Sequence, residues 1–134
     1  MRCLMYRFAI ALAVMLLFPL QALATQETPT ILEIYNQFAL TNAAASECIK
    51  KPDSETMTHY LANFQMVSIY ALMELQKQYP DRSKEQLAQA MNRKKQHLSR
   101  IVQGIVREKG CGDSRIQDLI KRFDMQAKWR PGES

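Results

Sequence analysis

Apolar residues recur along this chain with the period of an amphipathic helix, in four stretches separated by helix-stopping residues. In the first, Ile31, Ile34, Tyr35 and Phe38 fall at i, i+3, i+4 and i+7. Thr28 followed by Pro29 predicts the start of this helix, with proline at its first position. The alanine-rich run Asn42 to Ser46 carries it to about Cys48, where Lys50 and Lys51 suit the negative end of the helix dipole and Pro52 forbids continuation. Asp53 or Ser54 caps a second helix, expected to reach about Tyr79 before Pro80. Ser83 and Gln86 form a capping box for a third, whose stripe is Leu87, Met91, Leu98, Ile101, Val102 and Ile105 and whose end is Lys109 and Gly110. Asp113 and Ser114 cap the last, with Ile116, Leu119, Ile120 and Phe123 on one side and Trp129 near its end. Nothing alternates with the two-residue period of a strand. The expected fold is all-α, a small up-down four-helix bundle.

The second helix differs in kind. From Phe64 to Leu75 only Gln65, Ser68 and Glu74 are polar. Met57, Leu61, Phe64, Val67 and Leu75 make one stripe, and Met66, Ile69, Tyr70 and Met73 make another. A helix apolar nearly all round is either central to a bundle or has one face in the core and another against a partner.

The N-terminal segment has a different pattern. Arg2 and Arg7 precede an apolar run from Phe8 to Leu20, Pro19 breaks it, and Ala22-Leu23-Ala24 is a small-x-small cleavage signal. Residues 1–24 are therefore expected to be a cleaved signal peptide, residues 25–130 a helical domain and residues 131–134 a loose tail. The expected location is the periplasm or the exterior, with membrane contact only in transit through the signal peptide. Cleavage lowers the net charge from +5 to +3 and removes Cys3. Cys48 and Cys111 remain, and in an oxidising compartment they are expected to form a disulfide. The topology agrees: the first helix ends at Cys48 and the third returns to the same level just before Cys111.

Charge is uneven, with −3 over residues 25–79, +5 over 80–110 and +1 over 111–134. Arg93, Lys94, Lys95 and Arg100, with Arg107 and Lys109, suggest a basic face on the third helix for a partner with an acidic surface. Met66, Tyr70 and Met73 suggest an apolar contact on the second. No aromatic residues interleave with the basic ones to stack on bases, so nucleic acid is not the expected partner. His59 and His97 come to similar heights on neighbouring antiparallel helices and are weak candidates for a metal or haem pair. No catalytic signature of the G-x-S-x-G, H-E-x-x-H or C-x-x-C-H type is present.

The expectation is an exported, non-enzymatic protein that binds another protein without a cofactor, as a secretion or assembly accessory, a chaperone-like protein or a toxin-immunity protein would. The rival is a helical bundle holding a metal, haem or lipid. In architecture alone the expected domain is similar to small helical periplasmic proteins with one disulfide: secretin pilotins, immunity proteins against cell-wall amidases and acid-stress chaperones.

Overall fold

A computed structural model describes residues 27–130, so the expected signal peptide and the tail at 131–134 lie outside the described residues. Four helices pack together: α1 (Ile31–Cys48), α2 (Ser54–Gln78), α3 (Lys84–Lys109) and α4 (Ser114–Lys128). No strand occurs among the described residues.

The helix ends follow local chemistry. Asp53 accepts from the Thr56 amide, and Ser83 and Gln86 bond reciprocally, as the capping signals predict. Gly110, at φ +79°, closes α3 in a conformation that costs little without a Cβ. The start of α1 differs from the expectation. Thr30, not Thr28, is the cap, because Glu33 stands three residues on and completes a second capping box. Glu33 accepts from the Thr30 amide at 2.7 Å, which holds its carboxyl below the ordinary value.

Directions alternate, as loops of four or five residues require. Adjacency is less regular. Parallel helices meet closely, α1 with α3 and α2 with α4, while α3 and α4 barely touch. α1, not α2, is the most enclosed element, with Tyr35, Phe38, Ala39, Thr41, Ala43, Ala44 and Ala45 all buried. The alanines explain this: with only a methyl on several sides of α1, neighbouring backbones can approach from more than one direction.

The core has two parts. Tyr35 and Phe38 of α1, Tyr60 and Phe64 of α2, and Phe123 of α4 form an aromatic cluster, with the Tyr60 and Phe123 centroids 4.2 Å apart. Ala43 and Ala44 pack with Val102 and Ile116 in a second cluster. At that end Cys48 and Cys111 form the disulfide, their Cα atoms 5.7 Å apart. It ties the end of α1 to the junction before α4.

Buried polar groups are bonded. The Tyr60 hydroxyl donates to the Phe38 carbonyl at 2.6 Å and lies 2.9 Å from Thr41 Oγ1, and burial raises its pKa. Asn63 Nδ2 donates to the carbonyls of Gln126 and Trp129, satisfying two acceptors that the end of α4 leaves open.

Candidate functional site

Position on the α2 wheel separates its two apolar stripes. Tyr60, Phe64, Val67 and Ala71 step by four, three and four residues and are buried with Asn63. The inner stripe is therefore shifted from the expected one, and Leu61 is half-exposed. The other stripe points the opposite way. Ile69 is 53 % exposed, Tyr70 54 % and Met73 48 %, and Met66 is partly covered. With Ala62 and Gln65 these side chains border an open depression of about 410 Å³ on α2 alone. No other described helix covers it. Met66, Tyr70 and Met73, singled out from the sequence, are thus brought together, and Ile69 sits among them.

The basic residues of α3 do not form one face. Successive residues on a helix stand about 100° apart, so Arg93, Lys94 and Lys95 must diverge. Lys94 lies beside Leu32, Tyr35 and Asn36 of α1. Lys95 is partly buried beside Gln65, Ser68 and Ile69 of α2. Arg93, Arg100 and Arg107 are exposed at seven-residue spacing on the side of α3 away from Leu87, Leu98 and Val102, with Arg93 also at the rim of a groove beside Leu75 and Tyr79 of α2.

The two histidines have different surroundings. His59 Nε2 lies 3.7 Å from Glu55 on the same helix. His97 is exposed on α3. Among the described residues no group of three or more His, Cys, Asp or Glu side chains is placed to hold a metal.

Two further grooves open between helices. One, of about 460 Å³, is walled by Ile34 and Phe38 of α1 and by Met125 and Trp129 near the end of α4. Its exposed Trp129 and Met125 sit where packing of Trp129 was expected, yet Trp129 stays 42 % open while its ring stands 6.5 Å from that of Phe38. The other, between α2 and α3 near their loop, is lined by Leu75, Tyr79, Arg82 and Arg93. At the opposite end of the molecule Arg115 donates twice to the Asp113 carboxylate, at 2.9 and 3.0 Å, and holds its pKa down to about 2. This ion pair belongs to the start of α4, where Asp113 also accepts from the Arg115 amide.

Sequence reasoning missed the neutral residues between the arginines of α3. Gln89, Gln96 and Gln103 are exposed on the same outer side. Their signal is the seven-residue spacing, which charge by itself does not carry. Comparison with protein-family models, curated proteins and solved structures finds no match to this chain.

Proposed function

We propose that this is an exported protein that binds another protein, and that the outward face of α2 is its main contact. The observation that carries this reading is the apolar stripe Met66, Ile69, Tyr70 and Met73, which lies opposite the core stripe of the same helix. Packing of the bundle does not need it. Isolated exposed apolar residues are ordinary, but four on one helical face are the composition of an interface core, with Tyr and Met enriched there.

The chemistry of the face favours a macromolecular partner over a small ligand. The depression is open and lies on one helix, whereas small-molecule sites are concave and bury most of their ligand. The central space between helices is filled by the rings of Phe38, Tyr60, Phe64 and Phe123. Export rests on the N-terminal pattern, and the Cys48–Cys111 disulfide accords with an oxidising compartment.

The test is site-specific photo-crosslinking in the producing cell, with the photoreactive residue at position 70 and a control at the exposed Gln37 of α1. A discrete adduct is expected at position 70 only. Its partner, identified by mass spectrometry and purified, should then bind the unmodified chain. Ile69→Asp should weaken that binding by at least about tenfold, since central interface residues commonly carry such effects. Equal adducts at both positions, or binding indifferent to Ile69→Asp and Met73→Asp, would remove the α2 face from the mechanism.

A further inference from the structure

The outer surface of α3 carries a second pattern, independent of the α2 face. Gln89, Arg93, Gln96, Arg100, Gln103 and Arg107 follow one another at steps of four, three, four, three and four residues. Glutamine and arginine alternate without exception, and all six side chains are exposed. Steps of four and three are the heptad spacing of a helix-to-helix seam. On a straight helix the line drifts by only ~20° per heptad, so over a length of ~27 Å it remains one narrow track.

Three properties of the track define what fits it. It is purely cationic: α3 has no acidic residue from Gln86 to Arg107, and among the described residues Arg93, Arg100 and Arg107 have no ion-pair partner. It is also one side chain wide, because Lys94 and Lys95 are turned toward α1 and α2. Finally, it is periodic, with a guanidinium every ~10.5 Å. A broad polyanion needs a broad positive field, and neutral glutamines add nothing to one. A single helix with carboxylates at seven-residue spacing would instead meet each arginine in register. Its intervening polar positions would face the glutamines, whose amides both donate and accept. Arginine suits this role because its planar fork matches a carboxylate with two hydrogen bonds.

We infer that the Arg93–Arg100–Arg107 seam of α3 docks an acidic helix of a partner protein, lengthwise and in heptad register. Because such ion pairs are exposed and individually weak, the seam sets orientation and encounter rate more than total affinity.

The experiment uses the full mature chain and a synthetic four-heptad helical peptide. The peptide carries Glu every seven residues, with Gln at the intervening seam positions. A second peptide has the same composition with its Glu residues dispersed around the helix. Fluorescence anisotropy at low salt should show the register peptide binding more tightly than the dispersed one, with affinity falling as salt rises. The triple variant Arg93→Ala, Arg100→Ala, Arg107→Ala should weaken binding about tenfold, the sum of three modest exposed pairs. Removal of equal charge off the seam, by Lys51→Ala, Lys121→Ala and Lys128→Ala, all exposed, should change it less than twofold. An Arg-to-Lys version of the seam keeps the charge and should fall between the two. Ile69→Asp should have no effect, which separates failure of this inference from failure of the α2 reading. Equal binding of the two peptides, equal losses from the two triple variants, or no peptide binding at all would overturn the inference. So would seam-dependent uptake by phosphatidylglycerol vesicles without peptide binding.

Discussion

From Ala39 to Ala45, α1 presents mostly methyl groups, and all but two of these seven residues are fully buried. From Met66 to Met73, α2 presents Met, Val, Ile, Tyr and Leu, and only Val67 and Ala71 are fully buried. The segment with the smaller side chains is the more enclosed. Burial of a helix in a small bundle is limited by how many neighbours can approach its axis, and bulky residues on every side push neighbours away. α1 is thin enough for three others to gather round it. α2 meets α4 and α1 along its inner stripe and α3 more lightly, and the apolar area on its remaining side faces outward.

Attachment of α1 at its far end allows the largest test of this contrast. The disulfide closes a separation of 63 residues, which the chain-entropy model values at about 4 kcal/mol. Cys48→Ser or Cys111→Ser, or reduction of the native protein, should therefore lower the thermal midpoint on the order of 20 °C in a domain of this size. Equal midpoints with and without the bond would mean that the alanine packing of α1 suffices by itself.

The alanines themselves provide the next test. Ala44 is wholly buried against the cluster containing Val102 and Ile116. Ala44→Leu adds three carbon atoms where helices approach closely, and should cost about 1–3 kcal/mol by overpacking. Chemical denaturation measures it. A stabilised variant would show that α1 is loosely packed and that its small residues are not what brings its neighbours close.

Much of the fold was legible because its signals are local. Asp53, Ser83, Gly110 and Asp113 mark helix ends through side chains or φ angles within a few residues. The disulfide follows from the two cysteines outside the N-terminal segment and the alternation of helix directions. What was not legible depends on neighbours distant in sequence. Periodicity puts the inner stripe of α2 on Leu61 and passes over Tyr60, because a tyrosine is buried only where its hydroxyl finds partners, here the Phe38 carbonyl and Thr41 on another helix. Likewise Asn63 looks like a surface residue until the end of α4 supplies its two carbonyls. The basic residues part for a simpler reason: adjacency in sequence separates side chains around a helix, and Lys94 and Lys95 lie beside α1 and α2 instead of joining Arg93.

Tyr60 joins the two helices being compared, and its replacement should have a smaller effect than either change above. Tyr60→Phe keeps the ring against Phe123 and removes the bonds to Phe38 and Thr41, costing about 1–2 kcal/mol. Its pH dependence has a definite sign. Below pH 10 the phenol is protonated in folded and unfolded chains alike. Above that the unfolded chain releases the proton while the buried group, with its pKa raised, retains it. Stability should therefore fall as pH rises beyond 10, and the fall should be shallower in Tyr60→Phe. Identical alkaline unfolding curves would mean that Tyr60 is not sealed between α1 and α2.

The smallest expected effect bears most directly on why the surplus apolar area of α2 exists. Ile69→Ser removes a branched side chain that is already half in solvent and is absent from both core clusters. Were this face part of the packing, truncation would cost several kcal/mol, as buried Ile or Leu truncations do. Were it surface, the change should stay within about 0.5 kcal/mol in denaturant unfolding of the isolated chain. The same substitution should nevertheless reduce binding to the crosslinked partner, since loss at an interface does not require loss in the monomer. A large drop in monomer stability would place Ile69 in an intramolecular contact and return the second stripe of α2 to the service of the fold. Unchanged stability with diminished binding would leave association as the use of this face, and would explain why the helix that carries bulky apolar side chains on two sides is the less enclosed one.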